Sequence, residues 1–75
     1  MLNNSVITFR LKEGDEYIEL IKLLKVTNVA ESGAMAKIMV SNGEVRRNGS
    51  TELRKRAKIR AGEIISTLGY EIRVN

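Results

Sequence analysis

The 75-residue sequence contains no cysteine, no histidine, no proline and no tryptophan. Without cysteine there is neither a disulfide framework nor a thiolate metal site. Without histidine the ordinary proton shuttle at neutral pH, the usual zinc ligand and the base of a serine or cysteine triad are all missing. Aromatic side chains are reduced to Phe9, Tyr17 and Tyr70. All three fall where core packing explains them, so no exposed platform for stacking unpaired bases is expected. No apolar run approaches the roughly 20 residues that cross a bilayer. The start, Met1-Leu2-Asn3-Asn4-Ser5, lacks the basic region and apolar core of a signal peptide. No phosphate loop, dinucleotide fingerprint or G-x-x-G clamp occurs. The expectations are a cytoplasmic, non-enzymatic protein with no cofactor, no metal and no membrane partner.

What is present is one domain's worth of chain with an uneven charge. The net charge is +4. From Met1 to Ala36 four basic residues face five acids, and from Ala61 onward Arg73 faces Glu63 and Glu71, so each part carries −1. Between Lys37 and Arg60 lie eight basic residues against Glu44 and Glu52, a net of +6. A basic block this concentrated implies a polyanionic partner, such as nucleic acid or a membrane surface.

The pattern along the chain is that of an α+β domain. Val6 to Leu11 is β-branched and aromatic and predicts a strand. Asp15 is placed to cap a helix running to Lys25, with Tyr17, Ile18, Leu20, Ile21, Leu23 and Leu24 as its apolar face. Ser32 is placed to cap a second helix that ends near Asn42 with Gly43 as its stop. Met35, Ile38 and Met39 would form its inner stripe, and Ala34 and Ala36 would allow close approach to the first helix. Asn48-Gly49 signals a tight hairpin turn. Arg56 to Ala61 alternates basic and apolar residues and reads as a strand, although the helix-favouring composition of Ser50 to Ala61 leaves a third helix open. Ile64 to Leu68 and Tyr70 to Val74 complete the strands, giving two packed helices against a small, mostly antiparallel sheet.

The candidate binding residues are Lys37, Arg46, Arg47, Arg54, Lys55, Arg56 and Lys58. Arginine meets phosphate with a planar fork and lysine with a point charge. The Asn48-Gly49 turn would hold Arg46 and Arg47 close to the run from Arg54 to Lys58, and Ser32 would open a helix N-terminus whose N–H groups suit a phosphate. A solvated basic face without a partner is the bland alternative for any charge run. Here eight basic residues meet only two acids, with no acidic strip to offset them, which favours binding. Asp15, Glu16 and Glu19 could suggest paired catalytic carboxylates, but a place at a helix N-terminus is explanation enough. With so few aromatics, recognition would rest on phosphates, 2′-hydroxyls and the shape of folded RNA.

These segments together resemble the RNA-binding domain named after small-subunit ribosomal protein four, the S4 domain with its alpha-L motif. The likeness rests on Ser32 opening a helix with Ala36-Lys37, on Gly43-x-Val45-x-x-Asn48-Gly49, and on Lys58-Ile59-x-x-Gly62-Glu63-Ile64. It runs from about Tyr17 to Ile65, with flanking strands at 5–11 and 70–74 that would make residues 1–75 one domain. Glu31-Ser32-Gly33-Ala34-x-Ala36-Lys37-Ile38 and Arg54-Lys55-Arg56-x-Lys58-Ile59 look most like the stand-alone bacterial proteins of the YbcJ type. The resemblance implies a cytoplasmic binder of structured RNA, ribosomal or transfer RNA, acting in ribosome assembly or translation; a monomer is expected because the pattern shows no large apolar patch. It puts Ser32, Lys37, Arg46, Arg47, Asn48, Arg54, Lys55, Arg56 and Lys58 on the RNA face. Two positions depart from the family pattern. Gly33 replaces the usual basic residue after the serine, which takes away one cation for a phosphate. Arg47 replaces an apolar residue, so its side chain would be exposed and would widen the face. The competing readings are a helix-turn-helix DNA-binding protein, with Ser50 to Ala61 as recognition helix, and an adaptor that sets the basic face on an acidic protein.

Overall fold

A computed structural model describes residues 5–75. The first four residues, on which most of the signal-peptide argument rests, lie outside them. Nine elements follow in order: β1 (Ser5–Phe9), β2 (Ile18–Glu19), α1 (Leu20–Val26), α2 (Gly33–Ser41), β3 (Arg46–Arg47), β4 (Ser50–Thr51), β5 (Lys58–Ile59), β6 (Ile64–Thr67) and β7 (Tyr70–Val74). Five strands form one sheet in the order β1-β7-β6-β3-β4, and β2 pairs with β5 in a separate ribbon. Only the β1–β7 pair is parallel.

The period of two along each strand decides which face of the large sheet is dry. Ile65 and Ile72 stand opposite one another and are fully buried, with Val74 two residues on. They join Leu20, Leu23 and Leu24 of α1 and Ala36, Met39 and Val40 of α2 in a single core. Ile7 and Phe9 of β1 pack on its margin. The alternate residues, Val6, Thr8, Ile64 and Arg73, point to the outer face and are exposed. Both helices therefore cover one face of the sheet.

Two helix boundaries were legible and one was not. The Ser32 hydroxyl accepts the N–H of Met35 at 3.1 Å, the cap expected of it. Gly43 ends α2 with φ of 75°, a conformation that favours glycine. The first helix, however, starts at Leu20 and not after Asp15. Its preceding residue, Glu19, provides no side-chain cap. The chain from Ile18 to Glu19 is drawn instead into the β2–β5 ribbon, where Ile18 faces Ile59. The first N–H groups of α1 are met from outside the helix: Leu20 N–H donates to Ala57 O at 2.9 Å and Ile21 N–H to Lys55 O at 3.1 Å. Tertiary hydrogen bonds thus replace the local cap and shorten the helix.

The inner stripe of α2 also differs from expectation. Ala36, Met39 and Val40 are buried, whereas Met35 is 43% and Ile38 53% exposed. Small Ala36 lies at the inner face, so the stripe turns toward it and carries the two larger side chains outward. Between Ser50 and Ala61 there is no helix; β4 and β5 are separated by loop and turn. The expected strand from Arg56 to Ala61 contracts to Lys58–Ile59, with Ala57 and Ile59 buried and Ala61 exposed. Without a helix there, the helix-turn-helix reading loses its recognition element.

Candidate nucleic-acid interface

The Asn48-Gly49 turn forms as its sequence demands. Both residues have positive φ, 52° and 89°, the mirror-image turn that matches strand twist, and Arg47 pairs with Ser50 across it. Consecutive strand residues point to opposite faces, so Arg46 and Arg47 separate at once. Arg46 projects to the outer face of the sheet and, with Glu44, Ser66 and Glu71, lines a hollow of about 260 Å³. Arg47 projects the other way, and its fate overturns the expectation of an exposed, face-widening side chain.

Arg47 is the hub of an ion-pair network. Its Nε donates to Glu63 Oε1 at 2.6 Å and its Nη2 to Glu63 Oε2 at 2.9 Å, a two-pronged pairing. Nη1 reaches Glu52 Oε1 at 3.3 Å, and Nη2 also donates to the Lys58 carbonyl at 2.8 Å. Only 22% of the Arg47 side chain is exposed. An arginine fits here because the five donors of its planar guanidinium can pair one carboxylate with two prongs and still reach a second carboxylate and a carbonyl.

The two carboxylates are equally engaged. Glu63 accepts from Arg47, from the Asn48 Nδ2 at 3.1 Å and from the backbone N–H of Arg60 at 2.8 Å. Hydrogen bonds from Arg47, opposed by burial and joined by those of Arg60 and Asn48, hold its pKa down at about 2. Glu52 accepts from Arg54 Nε and from the Arg54 N–H, each at 3.0 Å. The side-chain bond from Arg54 is the chief reason that Glu52 also titrates at about 2; burial opposes it, and the Arg54 N–H and Arg47 assist. Asn48 closes the network by accepting the N–H of Ile64 at 2.9 Å through Oδ1.

The candidate residues therefore divide. Arg47 and Asn48 are built into the frame. Arg54 is paired with Glu52, yet its side chain remains 74% exposed. Lys37, Arg46, Lys55, Arg56 and Lys58 are exposed and make no salt bridge among the described residues. Lys55 and Arg56 occupy the turn before β5, whose backbone carbonyls anchor α1. The network brings Arg47, Asn48, Arg54 and Lys58 together; Ser32 and Lys37 stand apart on α2, with no side-chain bond to it among the described residues. Met35 takes up the Ser32 hydroxyl, so that oxygen already serves the helix.

Sequence reasoning missed three participants. Glu52 was counted only as dilution of the basic block, although an acid embedded among arginines is itself a sign of internal pairing, and Glu63 was counted outside the block and given no role in it. Tyr17 was assigned to the core. It is 36% exposed, and Lys58 Nζ and the Arg60 guanidinium lie 5.1 and 5.7 Å from its ring centroid. Tyr70 is likewise 38% exposed. The acidic residues Asp15 and Glu16 do not lie at a helix N-terminus, because the helix begins later; they line a groove beside Tyr17. Among the described residues no cluster of acidic side chains is disposed to hold a metal, and no helix is long and apolar enough to cross a membrane.

A small sheet that carries two helices on one face and includes an Asn-Gly hairpin, followed by a basic turn, defines an S4-type domain. The S4 domain family model matches residues 9–75, and the chain belongs to that family. It is 45% identical over 58 residues to the putative RNA-binding protein YbcJ of Escherichia coli strain K12, covering 77% of this chain and 83% of the relative. The uncharacterized protein YbcJ of Shigella flexneri matches with the same identity and coverage. The solution structure of the E. coli YbcJ protein, described as revealing an alpha-L motif involved in RNA binding, superimposes with a TM-score of 0.69. That match has 43% identity and covers 89% of this chain and 84% of the other.

Proposed function

We propose that this protein is an RNA-binding module, not an enzyme, and that it docks on structured ribosomal or transfer RNA in the cytoplasm, in ribosome assembly or translation. The observation that carries the reading is the division of the basic block: two carboxylates satisfy Arg47 and anchor Arg54, and five further cations are exposed and make no salt bridge among the described residues. Unpaired cations on a rigid frame are what phosphate contacts require, because counterion release then supplies affinity without a prior bond to break. Lys55, Arg56 and Lys58 are the centre of the face, with Arg54 as an anchored neighbour. Lys37, Ser32 and Arg46 extend it from α2 and from the outer face of the sheet. Arg47 and Asn48 serve the face by holding its frame. The alpha-L relatives, whose descriptions name RNA, support the choice of RNA over DNA.

The test is a salt titration of binding to folded ribosomal and transfer RNA fragments, with duplex DNA of equal length as competitor. If about six phosphates are engaged, log affinity should fall against log salt with a slope of roughly −4 to −5. Equal binding to the DNA competitor, or a slope near zero, would overturn the reading. Binding to an acidic protein in preference to RNA would establish the adaptor in its place.

A further inference from the structure

The exposed ring of Tyr17 is not accounted for by phosphate contacts. Its neighbour Ile18 is buried against Ile59, and the pleat therefore turns Tyr17 away from the core. Continuing the register of β2 and β5 by one step sets Tyr17 across from Arg60, with Lys58 diagonal to it. Both cations lie within 6 Å of the ring centroid, at the distances at which a cation is drawn to the negative face of an aromatic ring. Tyr17 is thus a solvent-accessible aromatic ring with two cations of the basic block over it, whereas Tyr70, equally exposed, shares its hollow with a single one, Arg46.

We infer that Tyr17 is a stacking platform for one unpaired nucleobase of a bound RNA, with Lys58 and Arg60 holding the phosphates beside that base. The inference rests on the RNA-binding reading and adds a preference for an unstacked nucleotide. The surroundings fix the orientation. On one side Tyr17 borders a groove of about 820 Å³ that also contains Phe9, Leu11 and Ile18 and is lined by Asp15, Glu16 and Glu19 together with Lys12 and Lys22. The three carboxylates outnumber the two lysines there and disfavour a phosphodiester but not an uncharged base. The sugar–phosphate backbone is therefore better placed over β5, beside Lys58 and Arg60, with the base turned toward the ring and the apolar side chains. Glu16, 3.9 Å from the Arg60 guanidinium and largely exposed, stands at the border between the two zones. Stacking on an aromatic side chain needs no particular base, because every base has a π-face.

The experiment compares two RNA hairpins of the same stem, one fully paired and one with a single bulged 2-aminopurine. Wild type is expected to favour the bulged hairpin by roughly 5- to 150-fold, the span of one base–aromatic stack. Binding should quench the 2-aminopurine fluorescence. Tyr17→Phe should retain both effects. Tyr17→Leu, which keeps apolar bulk without the ring, should lose both, so that it binds the two hairpins equally. Equal affinity of wild type for the two hairpins, or a preference that survives in Tyr17→Leu, would overturn the stacking role and leave the phosphate face standing. Failure of wild type to bind either hairpin would remove the RNA-binding reading and the platform with it.

Discussion

Two sets of cations share the stretch between Lys37 and Arg60 and differ in what surrounds them. Arg47 sits among Glu52, Glu63 and the Lys58 carbonyl, mostly shielded from water. Lys55 and Arg56, a few residues on, occupy an exposed turn with no salt bridge among the described residues. Formal charge alone does not distinguish them. Desolvation does: a guanidinium that has lost its water must have fixed partners, and those partners join β3 to the loops on either side of β5. An exposed cation keeps its water until a phosphate displaces it. The first set specifies shape, and the second is available for a ligand.

The comparison is broken most directly at Arg47. Arg47→Ala leaves two shielded carboxylates without their common partner and should lower unfolding free energy by about 2–4 kcal/mol, below the full cost of a completely buried pair because part of the site is wet. Urea denaturation measures it. Adding Glu63→Gln should restore part of the loss, since the orphaned charge is then removed; an Arg47→Ala protein as stable as wild type would show that the network carries no weight.

Acid titrates the same network. Glu52 and Glu63 ionise at about 2 when folded, against 4.5 for the free side chain. The folded state therefore binds fewer protons than the unfolded chain between these values. The resulting stabilisation is fully present above about pH 5 and is lost as pH falls from about 4.5 toward 2. Melting temperature followed across that interval should drop steeply in wild type and more shallowly in the Glu52→Gln/Glu63→Gln protein. Parallel profiles would assign acid unfolding to other carboxylates.

A smaller effect sharpens a second contrast, between the two hairpin turns. Asn48-Gly49 and Leu68-Gly69 share the same backbone form, but Leu68 adopts φ of 49° where asparagine or glycine is at ease. Leu68 is 62% exposed, so its side chain contributes little to the core. Leu68→Asn should stabilise the protein by about 0.5–1 kcal/mol, read as a rise in melting temperature.

The sequence disclosed the parts of this molecule governed by local rules. Ser32, Gly43 and Asn48-Gly49 each act within a few residues of themselves, and each does what its chemistry implies. The start of α1 obeyed a distant rule: its N–H groups are satisfied by the carbonyls of Lys55 and Ala57, more than thirty positions away, so Asp15 had no helix to cap. Tyr17 left the core for a related reason, because Ile18 took the inward position of a strand that exists only through pairing with Ile59. Composition and local pattern located the basic block and its cations, and the family resemblance added Asn48 to the face. Neither could separate Arg47 from Lys55, since that distinction depends on where Glu63 returns in space, 16 positions after Arg47.

The most direct measurement is therefore made on the exposed set: RNA binding as a function of salt for Lys55→Ala/Arg56→Ala beside wild type, with the melting temperature of each. The double variant should melt as wild type does, while its log affinity against log salt becomes shallower by about 1.4–1.8, as each substituted residue leaves one phosphate unneutralised. An unchanged slope would contradict the claim that these unpaired cations are the ones that meet RNA.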